Sequence, residues 1–240
     1  MYSKRLKEHG LNNWIGGSDY NFRQATAGEN IVADIKRLLE QADIQPKQLY
    51  TGQQTHGKHV AYCDGENGEP FLIGRQFPNT DGLLTNQEGI ALLIKFADCT
   101  PVVLYDPKTK VQAVVHSGWR STVEKISHVA LRKMVEEYNV NIQNVIAYVG
   151  PSIGIEDYEV GSEVYEAFKD HKSRDLYFEH QDEKYLLDMS LANYQLLIEA
   201  GIEPDQIEME TTKTYGTPSL HSAREEGKEY GLNAMVTMIR

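Results

Sequence analysis

Two apolar runs flanking a turn signal constrain this chain more than any other feature. Thr100-Pro101-Val102-Val103-Leu104-Tyr105 leads into Asp106-Pro107-Lys108-Thr109, and Lys110-Val111-Gln112-Ala113-Val114-Val115-His116 leads away from it. Asp at the first position and Pro at the second favour a type I turn, so the segment predicts an antiparallel hairpin. If Tyr105 pairs with Lys110, counting out to the open end sets Cys99 opposite His116. Directly opposed residues hold their Cβ atoms roughly 4.5–5.5 Å apart, close enough for a thiolate and an imidazole to reach one tetrahedral ion. A slip of one residue would send the two side chains to opposite faces.

A third ligand is expected from Gln53-Gln54-Thr55-His56-Gly57, where His56 follows the apparent strand Leu49–Gln54 and precedes a glycine that opens space. His59 competes for that role. A local knot of His56, His59 and Cys63 is weaker, because in a strand residues 59, 61 and 63 would share a face that His56 does not control. His9, His128, His171, His180 and His221 have no partner at informative spacing. Two imidazoles and one thiolate leave a fourth tetrahedral position open, the pattern of a catalytic rather than a structural zinc. Asp98, beside Cys99, could orient a ligand or act as acid or base; alternation should point it away from the ion, which favours indirect support.

Elsewhere the pattern mixes two periods. Ile31, Val32, Ile35, Leu38 and Leu39 recur at helical steps over Glu29–Ala42, and Ile126, Val129, Met134, Val135 and Tyr138 do so over Thr122–Tyr138. Glu163–Phe168 and Met189–Ala200 also read as helices, with Gly201 where a C-terminal cap glycine would stand. Phe71–Ile73, Ala91–Phe96, Pro101–Tyr105, Val111–His116, Val145–Val149, Ile207–Glu210 and Ala234–Ile239 read as strands. Residues 1–28 read as an irregular opening segment with turn points at Gly16, Gly17 and Gly28. An α+β fold in a single domain spanning 1–240 is the expectation.

Composition narrows the function classes. With 24 Lys and Arg against 35 Asp and Glu the net charge is -11, which repels a polyanion and makes nucleic acid an unexpected partner. No apolar run approaches the roughly 18 residues of a membrane span. Met1 to Gly10 carries Lys4, Arg5 and Lys7 with no apolar stretch behind them, unlike a secretory signal, so a cytoplasmic protein is expected. Two cysteines are too few for a disulfide scaffold.

Five ordered blocks then carry a resemblance. They are Gln54-Thr55-His56-Gly57, Asp81-Gly82-Leu83-Leu84-Thr85, Ala97-Asp98-Cys99-Thr100-Pro101-Val102, His116-Ser117-Gly118-Trp119-Arg120, and Gly150-Pro151-Ser152-Ile153-Gly154 with Tyr158-Glu159-Val160-Gly161. Together they resemble the YfiH-like laccase-domain family, long labelled polyphenol oxidases and now regarded as zinc-dependent purine nucleoside phosphorylases. The resemblance implies one zinc on His56, Cys99 and His116, and a four-layer arrangement with two mixed β-sheets packed between helices. It implies purine nucleoside and phosphate as substrates, with a possible adenosine deaminase side activity. A copper-dependent laccase and a Cys/His hydrolase or deamidase are the alternatives; copper is the less expected metal, since no histidines are spaced His-x-His.

Phosphate on so acidic a chain needs a local positive pocket. Arg120 is the first candidate, four residues beyond His116 at a helix start, and Arg224 the second. Trp119 could stack on a purine or pack on the hairpin. The family's closing motif, similar to Ser-x-Arg-Arg-Asp-Gly, appears here as Ser222-Ala223-Arg224-Glu225-Glu226-Gly227, with Glu225 in place of an arginine. The glycine-rich N-terminal block is shortened to something like Gly16-Gly17-Ser18. Both departures bear on the anion site rather than on the metal ligands.

Overall fold

Side-chain alternation along the strands decides the layering. On the strand Ile90–Phe96, Ile90, Leu92, Ile94 and Phe96 point to one side and Ala91 and Leu93 to the other. In the computed structural model, which describes residues 1–240, the first set meets Leu83, Val103, Val114 and Tyr148 of a second sheet. The second set meets Ile31, Ile35 and Leu38 of the helix Asn30–Gln41. The outer face of the second sheet, with Val102, Leu104, Ala113 and Val115, is covered by Ile126, Ala130, Leu131 and Met134 of the helix Ile126–Tyr138 and by Leu197 of Met189–Glu199. Four layers result, helix, sheet, sheet, helix, and both sheets are buried on both faces, which explains the near-continuous apolar strands. This is the expected α+β architecture.

Each large sheet has six strands. The first runs Leu11–Gly16, Asn233–Ile239, Ile90–Phe96, Gln48–Gly52, Gly74–Phe77, Glu69–Phe71, and the second runs Ile207–Met209, Ile146–Val149, Thr100–Asp106, Val111–Ser117, Gly82–Thr85, Val60–Tyr62. Both mix parallel and antiparallel neighbours. A small three-stranded sheet carries its own apolar cluster around Phe168, Tyr177 and Phe178. No helix is long and apolar enough to cross a membrane.

The chain departs from the sequence expectations at four places. Residues 1–28 are not irregular: they contain the helices Lys4–Glu8 and Gln24–Ala27 and the strand Leu11–Gly16, which pairs with Asn233–Ile239 and so acquires its structure from the far end of the chain. Phe71–Ile73 is not a strand but the end of one and the turn of a hairpin, with Leu72 in the left-handed region at φ 52° and both Leu72 and Ile73 exposed. The helical stretch Thr122–Tyr138 is two helices, Trp119–Val123 and Ile126–Tyr138, separated where Lys125 takes φ 56°.

The fourth concerns the Cys99–His116 hairpin. Asp106 stays in the ladder opposite Val111, because its carboxylate accepts hydrogen bonds from Lys108 N at 2.9 Å and Thr109 Oγ1 at 2.8 Å, closing the turn while its backbone remains extended. Lys110 absorbs the reversal at φ 53°. His116 therefore pairs with Pro101, not with Cys99, and Cys99 lies just outside the strand on the diagonal. The shift is an even number of residues, so the face is preserved and the side chains still meet.

Candidate metal centre

The three ligand candidates sit where the two sheets end together. The strand Gln48–Gly52 of the first sheet delivers His56 through a short loop, and Ile90–Phe96 of the first sheet crosses to Thr100–Asp106 of the second through Ala97–Cys99. Val111–Ser117 of the second sheet carries His116 directly. The ligand atoms of His56, Cys99 and His116 all lie within 4.8 Å of one another, and the two imidazole centroids are 4.9 Å apart. His116 is buried, Cys99 half-buried and His56 exposed, so the cluster is open on one side only. The neighbouring Gly118 is compelled by space: a Cβ there would lie 2.7 Å from His56 Cδ2 and 2.9 Å from Cys99 Sγ.

Asp81 organises the cluster, and sequence reasoning assigned it no role. Its carboxylate, 1% exposed, accepts from the backbone amides of Thr55 at 3.0 Å, His56 at 2.9 Å and Gly57 at 2.9 Å, and from His116 Nδ1 at 2.9 Å. The three amides hold His56 in a left-handed conformation at φ 61°, which costs a non-glycine residue about 1–2 kcal/mol. The imidazole bond commits His116 Nδ1–H and turns Nε2 toward Cys99, the arrangement by which a carboxylate orients a metal-ligating histidine. An Asp before a glycine reads as a turn in sequence, so nothing local could have exposed this role.

The electrostatics favour a charged cluster, with Cys99 and Asp81 as anions around His116. Burial alone would raise the Cys99 thiol, but the charge and hydrogen bonds of His116 and His56 outweigh it and bring the thiol well below its ordinary value. Burial likewise would lower His116, and the Cys99 thiolate and Asp81 carboxylate outweigh that in turn. Asp81 is lowered by His116 and the Thr55 and Gly57 amides against the opposing effect of burial. A deprotonated sulfur beside two imidazoles is a soft donor set suited to zinc or copper. The residues present therefore fit a metal of this type.

The other predicted site residues lie outside the cleft that opens onto the cluster. A cleft of about 340 Å³ opens onto the cluster, lined by His56, Cys99 and His116 with Phe22, Arg23, Gln24, Lys95, Phe96 and Tyr230 among its walls. Arg120, Arg224 and Ser222 are not among its lining residues. Arg120 stacks on Trp119, with its guanidinium carbon 4.1 Å from the ring centroid. Arg224 donates to the carbonyls of Asp157 and Glu159, and Ser222 Oγ caps the helix Ala223–Glu226 by accepting from Glu225 N at 3.2 Å. Glu225, the departure from the family motif, accepts from Gly216 N. Asp98, at φ 78°, accepts from Thr214 Oγ1 at 2.7 Å and Arg224 N at 2.7 Å, so it anchors the Cys99 loop. His59 bonds Thr80, and Cys63 is fully buried in the core between the sheets, which disposes of the local knot. The cleft residues Arg23 and Lys95 were missed because each stands alone in sequence, 72 positions apart, with no motif around it.

Fold and site together define a helix-flanked two-sheet protein with a His–Cys–His cluster at the sheet ends, able to hold one metal ion. Its residues 12–240 match the family described as multi-copper polyphenol oxidoreductase laccase, and the chain belongs to that family. It is 32% identical over 188 residues to a purine nucleoside phosphorylase of Bacteroides thetaiotaomicron, an alignment covering 74% of this chain and 68% of the relative. It is 33% identical over 171 residues to adenosine deaminase RL5 of an unknown prokaryotic organism, covering 69% of this chain and 64% of that one, so just under two thirds of the latter is spanned. The crystal structure of the hypothetical protein YfiH of Bacillus licheniformis superposes with a TM-score of 0.90 at 22% identity, covering 100% of this chain and 96% of the other.

Proposed function

We propose that the chain is a zinc-dependent purine nucleoside phosphorylase acting on adenosine, inosine, guanosine or methylthioadenosine with phosphate. The observation that carries the reading is the convergence of His56, Cys99 and His116 on a cleft whose lining contains no Asp or Glu. The name of the Bacteroides relative supports it.

Phosphorolysis moves the ribosyl C1′ from a base nitrogen to a phosphate oxygen. A phosphate lone pair makes the new C–O bond, and the electron pair of the C–N bond leaves with the purine, which takes up a proton. Zinc, when bound, supplies a Lewis acid beside the reacting atoms. His56, Cys99 and His116 would hold it, and Asp81 keeps His116 in the ligating tautomer. Phe71 offers apolar surface to a flat base, while the amides of Gln24, Gln53 and Gln76 can meet its polar edge. A reducing cytoplasmic setting, which keeps Cys99 a free thiolate, belongs to the same reading.

Adenosine deamination is a second reading, favoured by the name of the RL5 relative. Copper oxidase chemistry is less favoured, since no methionine lines the cleft to serve as the weak axial ligand of a blue-copper site. The test assays the four nucleosides with and without phosphate, alongside metal quantification. Phosphate-dependent base release, lost in Cys99→Ala and His116→Ala and lost on chelation until zinc is returned, is the expected result. Base release unchanged in both variants refutes the mechanism; ammonia release from adenosine without phosphate selects deamination; dioxygen-dependent oxidation of a phenol by the copper-loaded protein, with no base release, selects the oxidase.

A further inference from the structure

Lys95 is the one charged residue inside the strand Ile90–Phe96. Its backbone is fixed at both polar atoms, since Lys95 N donates to Gln54 Oε1 at 2.8 Å and Gln54 Nε2 donates to Lys95 O at 2.6 Å. By alternation its side chain shares the face of Ala91 and Leu93, under the helix Asn30–Gln41, where hydrocarbon surrounds its stem. There it lines both the cleft at the metal cluster and an adjoining apolar cavity walled by Phe22, Ile31, Ile35 and Leu93.

No carboxylate neutralises it. The ion pairs of the chain involve other residues, and Lys95 Nζ donates no hydrogen bond. Burial lowers its pKa and no neighbouring charge opposes that. Arg23, on the same cleft, stacks 3.9 Å from the Tyr230 centroid and donates only to the carbonyls of Lys228 and Tyr230. A chain with 35 acidic and 24 basic residues thus presents two uncompensated cations and no carboxylate to this one cleft. Leaving a half-buried ammonium unpaired costs free energy, and an anionic ligand reverses that cost.

We propose that Lys95, assisted by Arg23, is the seat for a phosphate group in the cleft, in place of the Arg120 and Arg224 expected from sequence. The proposal rests on the nucleoside reading for the identity of the anion, and the phosphate is either the free co-substrate or an ester carried by the nucleoside. Lys95 is a binding residue and takes no part in bond making.

Equilibrium binding to the full chain tests it without turnover, so a failure of the phosphorylase reading leaves the measurement intact. Inorganic phosphate, adenosine and adenosine 5′-monophosphate are titrated calorimetrically into the wild-type protein, Lys95→Met, Lys95→Arg and Arg23→Gln. Met fits the apolar surroundings, and Arg restores the charge. Loss of a charge-assisted hydrogen bond predicts about ten- to a hundred-fold weaker phosphate binding in Lys95→Met, a partial loss in Arg23→Gln, recovery in Lys95→Arg and unchanged adenosine binding. A loss confined to the monophosphate supports the seat and assigns it to an ester. Phosphate and monophosphate binding that Lys95→Met leaves unaltered, in a protein with native circular dichroism, overturns the proposal. If Lys95→Met does not fold, Arg23→Gln and Lys95→Gln carry the same comparison, and phosphate binding unaltered in both overturns the proposal equally.

Discussion

Replacing Asp81 with Asn separates the organising carboxylate from its neighbours with almost no change of shape. Asp81 Oδ1 accepts from His56 N and His116 Nδ1, and Oδ2 accepts from Thr55 N and Gly57 N. An amide has one oxygen, so whichever way Asn lies, two donors face an NH2 group. At about 1–3 kcal/mol for each unsatisfied buried donor, the gross cost is about 2–6 kcal/mol. Removing a buried charge offsets part of it, which places the expected loss of stability at about 2 kcal/mol. Metal affinity should fall about 10- to 100-fold, the usual effect of removing a carboxylate behind a ligating histidine. Urea unfolding of the metal-free protein reads the first quantity, and zinc competition against a chromophoric chelator reads the second. Asp81→Asn with the wild-type urea midpoint and the wild-type zinc affinity would mean that Asp81 does not organise the cluster.

Gly118→Ala should preserve the fold yet weaken zinc binding, because its Cβ would press on His56 Cδ2 and Cys99 Sγ rather than on the backbone; an unchanged zinc titration would contradict the cluster geometry. In metal-free protein at neutral pH, iodoacetamide should modify Cys99, whose thiol His116 pulls down against the effect of burial, and spare Cys63, whose thiol burial pushes up. Peptide mass spectrometry showing equal labelling of both would refute that assignment. Burial holds the folded-state pKa of His128 and His171 below the ordinary value of about 6.5. Unfolded chains therefore take up protons that the folded protein refuses, and this contribution to stability, complete above about pH 6.5, is lost as pH falls below it. The drop in urea midpoint between about pH 7.5 and 5.5 should shrink in a His128→Gln/His171→Gln double variant; a drop of the same size would show that other groups govern it.

Much of this protein is decided locally. Residues 98–117 specify a hairpin because near-continuous apolar runs flank a turn closed by Asp106 and Pro107, and those forces act over neighbouring residues. Two of the three metal-ligand candidates ride on that hairpin or at its mouth, so their meeting follows from the period of a strand even though the register differs from the one the turn residues suggest. The helix Asn30–Gln41 is legible for the same reason, its apolar residues forming one stripe.

Other features exist only once distant segments are in place. The strand Leu11–Gly16 is specified by pairing with Asn233–Ile239, and its own residues, Leu-Asn-Asn-Trp-Ile-Gly, alternate too weakly to announce it. Asp81 bonds residues 25 and 35 positions away on either side, and Lys95 bonds Gln54 and shares a cleft with Arg23. Pattern along a chain reports which face of an element is apolar; it carries no record of which polar groups will stand together when faces are stacked. Sequence therefore determined the hairpin, the apolar helix stripe and the three ligand candidates, and tertiary structure alone decided the make-up of the sheets, the carboxylate that orients the candidates and the cations that share their cleft.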